Sequence, residues 1–82
     1  MKKTAAVIAR ETVDASPISQ KKIAEKMGVK SQQAVFNMLK AKNGMRIDNF
    51  VKMMDVLGFE VVVRNKVTDE EQILVAEGSD SE

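Results

Sequence analysis

Apolar residues recur every three or four positions over the first two-thirds of the chain, which is the spacing of a buried helix face. The first such segment begins after Thr4, a suitable N-cap, and ends at Ser16-Pro17, because proline disfavours helical backbone in the residue before it. Its expected inner face comprises Ala5, Ile8, Ala9, Thr12 and Val13. The pattern therefore predicts a first α-helix between the cap and the proline.

Three shorter helical segments follow the first. The second begins after Ser19 and stops at Gly28, since glycine readily adopts the positive φ that ends many helices. The third begins after Ser31, a polar loop covers residues 40–44, and the fourth helix stops at Gly58. Their expected inner faces are, in chain order, Gln20, Ile23, Ala24 and Met27; Val35, Met38 and Leu39; and Ile47, Phe50, Val51, Met54 and Leu57.

After the fourth helix the period of the pattern changes to two. Residues 59–64 are rich in β-branched side chains, with Phe59, Val61 and Val63 on one side. A second apolar run, at 72–76, follows a polar stretch. Because an isolated strand needs a partner, we predict that the two runs form a β-hairpin.

The polar stretch between the two runs permits a competing interpretation. Thr68 and Glu71 have the spacing of a capping box, which would start a short helix at Asp69. We favour the strand and predict a mainly α fold of four helices followed by a C-terminal β-hairpin. The expected division of the chain is a helical domain at 1–58, the hairpin at 59–76 and a disordered acidic tail at 77–82.

Composition narrows the classes of function. The 82 residues include no cysteine and no histidine, which excludes zinc fingers, iron–sulfur clusters and catalysis by either side chain. The sequence contains no pair of carboxylates spaced for acid–base catalysis and no glycine-rich phosphate loop, so nothing in it indicates an enzyme. No apolar run approaches the ~18–20 residues that span a bilayer, and Arg10 and Glu11 interrupt what would be the apolar region of a signal peptide. We therefore expect a cytoplasmic, non-enzymatic chain with no cofactor, metal or membrane partner.

The net charge of +1 hides an uneven distribution. Residues 1–66 carry all 13 basic side chains and six of the 12 acidic ones, so this part has a charge of +7. Residues 67–82 carry the other six acidic side chains and no basic one. A basic body suggests a polyanionic partner such as nucleic acid, and the alternative is a solvated surface with an acidic tail that promotes solubility.

Two short helices joined by a glycine-containing turn are the pattern of a helix-turn-helix, and the second and third segments fit it. The small side chain of Ala24 permits the two helices to cross closely, and Gly28 supplies the backbone angle of the turn. Ile23, Met27 and Val29 are expected to hold the second helix against the first and the third.

About three-quarters of the chain resembles the lambda-repressor-like (Cro/repressor, Xre-like) family of DNA-binding proteins. Residues 31–39 (SQQAVFNML) are similar to the recognition helix of that family, and residues 45–63 resemble small members that add a β-strand after the last helix. The turn at 28–31 is one residue longer than is usual, so a register that brings Lys30 or Ser31 into the groove stays open. The resemblance implies a transcriptional repressor that binds a palindromic double-stranded DNA operator as a homodimer.

The resemblance also implies roles for individual residues. The expected base-facing positions are Gln32, Gln33, Phe36 and Asn37. The expected phosphate contacts are Ser19, Gln20, Lys40, Lys42, Asn43 and Arg46, to which we add Lys21. Chemistry supports these roles without the family, because glutamine can bond adenine N6 and N7 together. Phe36 should meet either a thymine methyl group or the edge of the core.

The C-terminal hairpin is the expected dimerisation element. A two-stranded hairpin is marginal alone, and pairing with a symmetry mate would bury its apolar face and cover an exposed edge. The expected interface residues are Phe59, Val61, Val62, Val63, Ile73 and Val75. Dimerisation through the fourth helix is the second possibility.

The alternative function is that of an antitoxin, which would bind a protein partner through its acidic C-terminal segment.

Overall fold

The computed structural model describes residues 2–40 and 45–76, which form four α-helices followed by a two-stranded antiparallel sheet. The elements are α1 (Ala5–Ala15), α2 (Gln20–Met27), α3 (Gln32–Lys40), α4 (Ile47–Val56), β1 (Val61–Arg64) and β2 (Glu71–Leu74). This order confirms the predicted mainly helical fold with a C-terminal hairpin. The predicted disorder at 77–82 lies outside the described residues. Within residues 2–40 and 45–76, no helix combines the length and the apolar character needed to cross a membrane.

Hydroxyl side chains begin the first two helices where the sequence predicts. Thr4 Oγ1 accepts a hydrogen bond from the Val7 N–H at 3.3 Å, and Ser19 Oγ accepts one from the Lys22 N–H at 3.2 Å. Each bond satisfies a backbone donor that has no partner within the helix. The third helix begins directly after Ser31, as predicted.

Glycines in the left-handed conformation end α2 and α4. Gly28 has a φ of 77° and Gly58 a φ of 93°. At the first of these turns, the Val29 N–H donates to the Ala24 carbonyl at 3.1 Å, which satisfies one of the last carbonyls of α2. The chain therefore reverses sharply after α2, and α3 starts only a few residues later.

The core lies between the four helices. Helix α1 packs against α3 and α4, and α2 packs against the same two helices. Met38 and Leu57 pack partly buried against this core. Its buried members are Ala9, Val13, Ile23, Ala24, Met27, Val35, Leu39, Phe50, Met53 and Met54. The predicted apolar inner faces of α2 and α3 are thus confirmed.

Some predicted inner-face positions of α1 and α4 are wrong. Ala5 and Ile8 are exposed, because the buried side chains of α1 are Ala9 and Val13, beyond its first turn. Ile47 is 59% exposed at the first position of α4, ahead of the part that packs against α1 and α2. Met53, which the pattern did not assign, is fully buried, because two neighbouring helices cover a broader face of α4 than one apolar stripe.

The competing helix at Asp69 does not form. Glu71 instead lies in β2, directly opposite Arg64 of β1. Thr68 Oγ1 accepts from the Glu70 N–H at 3.2 Å, two residues on, so its hydroxyl closes a local turn instead of capping a helix. The predicted hairpin is confirmed.

Both strands are shorter than the predicted runs at 59–64 and 72–76. The Phe59 N–H donates to the Met54 carbonyl at 2.8 Å as part of the turn that ends α4. Strand β1 therefore begins only at Val61, and β2 ends at Leu74, the residue opposite that start.

Candidate nucleic-acid interface

The relative position of α2 and α3 is fixed by side chains that both helices bury. Ile23 and Ala24 of α2 and Val35 and Leu39 of α3 all belong to the core. The nearly complete burial of Ala24 accords with its predicted place at a close helix crossing. Because these inner faces are buried, the opposite face of α3 must point to solvent.

That outer face carries the residues that the sequence assigns to base contacts, all of them exposed. Gln20, from the first position of α2, lies beside them and is half-buried. A shallow depression joins the two helices and is lined by Gln20, Gln32, Gln33 and Phe36. We refer to these four residues together with Asn37 as the α2–α3 surface. The sequence placed Gln20 among the phosphate contacts, whereas the fold brings it next to the base-facing group.

Two amide side chains of this surface are hydrogen-bonded to each other. Gln33 Nε2 donates a hydrogen bond to Asn37 Oδ1 at 3.2 Å, one helical turn along α3. This bond uses one of the two protons of the Gln33 amide and leaves the other proton and the Oε1 atom for a ligand. A donor and an acceptor side by side match adenine, which presents N7 and the N6 amino group in the major groove.

Phe36 stands on this surface and not in the core. Its ring is 42% exposed, and the Lys40 Nζ lies 4.9 Å from the ring centre. This distance is within the range of a favourable cation–π contact. The contact holds a positive charge beside the apolar part of the surface.

Among the predicted phosphate contacts, Gln20 lines the α2–α3 surface and Lys40 contacts its Phe36 ring. Ser19 uses its oxygen to cap α2, so its own hydroxyl proton is available to a ligand. Lys42 and Asn43 fall outside the described residues. The exposed members are Ser19, Lys21, Lys40 and Arg46, and Gln20 is half-buried.

Charge around α3 is of one sign. Residues 26–47 contain five basic side chains and no acidic one. Among residues 2–40 and 45–76, no carboxylate forms an ion pair with Lys21, Lys40 or Arg46. A polyanion would therefore meet positive charge that these groups do not share with a carboxylate of the described chain.

The hairpin carries a second exposed apolar group. Val61 is half-buried because it packs against the helical core. The other five predicted dimerisation residues are exposed, namely Phe59, Val62, Val63, Ile73 and Val75. Sequence reasoning overlooked the charged residues on either side of Val62. Arg64 lies two positions after Val62 in β1 and therefore on the same face, and Glu60 lies two positions before Val62, directly ahead of the strand.

Comparison of the chain with protein-family models, with curated proteins and with solved structures found no match. The interpretation of the α2–α3 surface therefore depends on the geometry and chemistry of its own residues.

Proposed function

We propose that this chain is a sequence-specific DNA-binding transcriptional regulator, a repressor that binds a palindromic double-stranded operator as a homodimer. The observation that carries the proposal is the α2–α3 surface. It combines amide side chains from two helices with an exposed aromatic ring, and α3 itself lies in a stretch, residues 26–47, that is basic and free of acidic residues. The resemblance to lambda-repressor-like proteins supports the same function.

The geometry of α3 suits entry into the major groove. A recognition helix lies in that groove with its N-terminal residues against the base edges. Gln32 and Gln33 are the first two residues of α3 and are both exposed. The half of α3 that faces the core is apolar, so the helix can enter the groove only with its amide-bearing face towards the bases.

The cations around the surface suit contact with the DNA backbone. Lys21 lies near the start of α2, Lys40 at the end of α3 and Arg46 just before α4. A recognition helix in the groove has phosphates on both sides, and contacts to them fix its orientation without reading sequence. The basic residues thus position the helix, while the amides and Phe36 discriminate between bases.

An antitoxin is the second candidate function. Its support is the exposed apolar side chains of the hairpin, which could bind a protein partner. Antitoxins of this kind also bind DNA, so the two functions differ in what covers the hairpin. A small toxin gene beside the gene for this chain would favour the antitoxin, whereas a divergent promoter would favour the repressor. A second copy of the chain can cover the same side chains, so the repressor accounts for both exposed surfaces.

Selection of bound duplexes from a random DNA pool by the full chain tests the proposal. We expect enrichment of one sequence as an inverted repeat, since a two-fold dimer binds two half-sites. The double variant Gln32→Ala/Gln33→Ala should fold normally and lose the enrichment. Gln72→Ala, which removes an exposed glutamine from β2, is the matched control and should retain it. A wild-type chain that enriches no sequence contradicts the proposal.

A further inference from the structure

Strand β1 has one edge without a neighbour in the described part of the chain. The sheet has two strands, and β2 occupies the other edge of β1. The Asn65 N–H donates across the hairpin to the Glu70 carbonyl at 2.8 Å, so the backbone groups of Asn65 face β2. Because backbone groups alternate in direction along a strand, those of Val62 and Arg64 face outwards. This edge therefore offers a row of N–H and C=O groups to another strand.

We propose that a second copy of this chain adds its own β1 to this edge, antiparallel, with the two-fold axis at Val62. The result is a four-stranded sheet in the order β2-β1-β1-β2. In this register Val62 lies opposite the partner's Val62, and Arg64 lies opposite the partner's Glu60. The inference deepens the dimer of the proposed function and takes its two-fold symmetry from it.

Charge complementarity selects this register. Glu60 and Arg64 are both exposed, and neither forms an ion pair within residues 2–40 and 45–76. With the axis at Val62, symmetry produces two opposite-charge pairs, which are favourable when directly opposite across a sheet. Moving the axis to Val61 places Val62 opposite Glu60 and leaves Arg64 opposite Gly58, which carries no charge. Moving it to Val63 places Val62 opposite Arg64 and would pair Glu60 only with Lys66, which lies in the turn beyond the end of β1.

Apolar burial favours the same arrangement. Val62 is paired with Ile73 in the hairpin, and these side chains are 42% and 60% exposed. Joining two hairpins at β1 would bring the two Val62–Ile73 pairs into one continuous apolar row. On the other sheet face, the exposed Val63 would lie opposite the partner's Val61. The exposed apolar side chains of β1 would thereby lose part of their contact with water.

The free edge of β2 does not offer an equivalent match. Strand β2 begins at Glu71, directly after Glu70, and no basic residue follows Lys66 in the chain. Pairing two β2 strands about Ile73 would create no opposite-charge pair, and shifting that pairing towards the turn would bring acidic side chains together. A second copy therefore fits at β1.

This interface is tested by measuring dimer dissociation of the full chain by sedimentation without DNA, with variants that reverse the charge of Glu60 or Arg64. We expect a wild-type dimer, and we expect Arg64→Glu and Glu60→Arg each to raise its dissociation constant by about tenfold, because each creates two like-charge pairs. An equimolar mixture of the two variants should recover the wild-type constant, since both pairs are complementary in the heterodimer. A misfolded variant could not produce that recovery.

Lys66→Glu and Glu70→Arg make the same charge changes in the turn and are the matched controls, which should dimerise like the wild type. A monomeric wild-type chain, unaltered dimerisation of both edge variants, or a mixture that stays dissociated would overturn the inference. The two proposals fail separately. A dimer with these properties that selects no DNA sequence would support this interface and contradict only the proposed repressor. A chain that selects a DNA sequence but dimerises through another interface would support the repressor and contradict only this interface.

Discussion

The Lys40 ammonium lies 4.9 Å from the centre of the Phe36 ring, one helical turn away on the exposed side of α3. The ring presents an apolar edge of the kind that contacts a thymine methyl group. The ammonium carries a charge of the kind that contacts phosphate. One turn of α3 therefore combines a group suited to reading a base with a group suited to holding the backbone.

Phe36→Ala should relax the preference for thymine at one symmetric pair of operator positions while changing stability little. The reason is that the ring is 42% exposed and contributes little to the core. Thermal melting together with competition between operator variants measures both effects. Met53→Ala provides the comparison for a true core deletion, with an expected loss of about 2–5 kcal/mol. A loss of that size in Phe36→Ala would assign the ring to the core instead.

Two variants of Ser19 should distinguish its role as the cap of α2 from its predicted contact with DNA. Its hydroxyl caps α2, so Ser19→Ala should cost about 1 kcal/mol of folding free energy. Ser19→Asp retains a capping oxygen but places a negative charge beside the phosphates, so it should keep its stability and lose more DNA affinity than the alanine variant. Thr4→Asp makes the corresponding change at the cap of α1 and should leave affinity unaltered. Wild-type affinity in Ser19→Asp would remove this residue from the phosphate contacts.

Arg46→Ala should weaken binding to all sequences about equally and reduce the slope of affinity against salt by about one per subunit. Binding releases fewer counterions when one phosphate contact is missing, and the same result is expected for Lys42→Ala. Titrations at several salt concentrations measure the slope. Lys66→Ala removes an exposed cation from the hairpin turn and should leave the slope unchanged. An altered operator preference in Arg46→Ala would mean that its side chain contacts bases.

Gly28→Ala should destabilise the fold by about 1–2 kcal/mol, because alanine is strained at a φ of 77°. Apart from the adjoining backbone, no atom of the described residues lies within 4 Å of the methyl group that alanine would add, so the cost comes from backbone strain and not from a clash. Gly28→Asn should cost less, since asparagine tolerates the left-handed conformation better. Equal losses in the two variants, measured by chemical denaturation, would contradict this explanation.

Helix ends were predictable because they depend on local chemistry. Thr4, Ser19 and Gly28 act through bonds to residues within a few positions, and those bonds are present. Burial along α4 was less predictable, because it depends on which neighbours cover the helix. For that reason Ile47, expected on the inner face, is exposed, and Met53, which the pattern did not assign, is buried.

The candidate site likewise has features that local sequence predicts and features that depend on packing. The exposure of Gln33 follows from the buried face of α3, and the one-turn spacing of Phe36 and Lys40 permits their contact. The position of Gln20 beside α3 depends on how α2 packs, which no local pattern specifies. The opposite charges of Glu60 and Arg64 indicate an interface only after the structure has shown that one edge of β1 is unpaired in the described part of the chain.

The most direct test of base reading by the first turn of α3 is sequence selection with Gln33→Ala and Lys30→Ala in parallel with the wild type. Gln33→Ala should lose its preference for adenine at one symmetric pair of positions, a discrimination of about 1–3 kcal/mol per half-site. Lys30→Ala, which removes an exposed side chain from the turn before α3, should select the wild-type sequence with weaker affinity. Retained preference in Gln33→Ala, together with lost preference in Lys30→Ala, would contradict the account and move base contact into the turn.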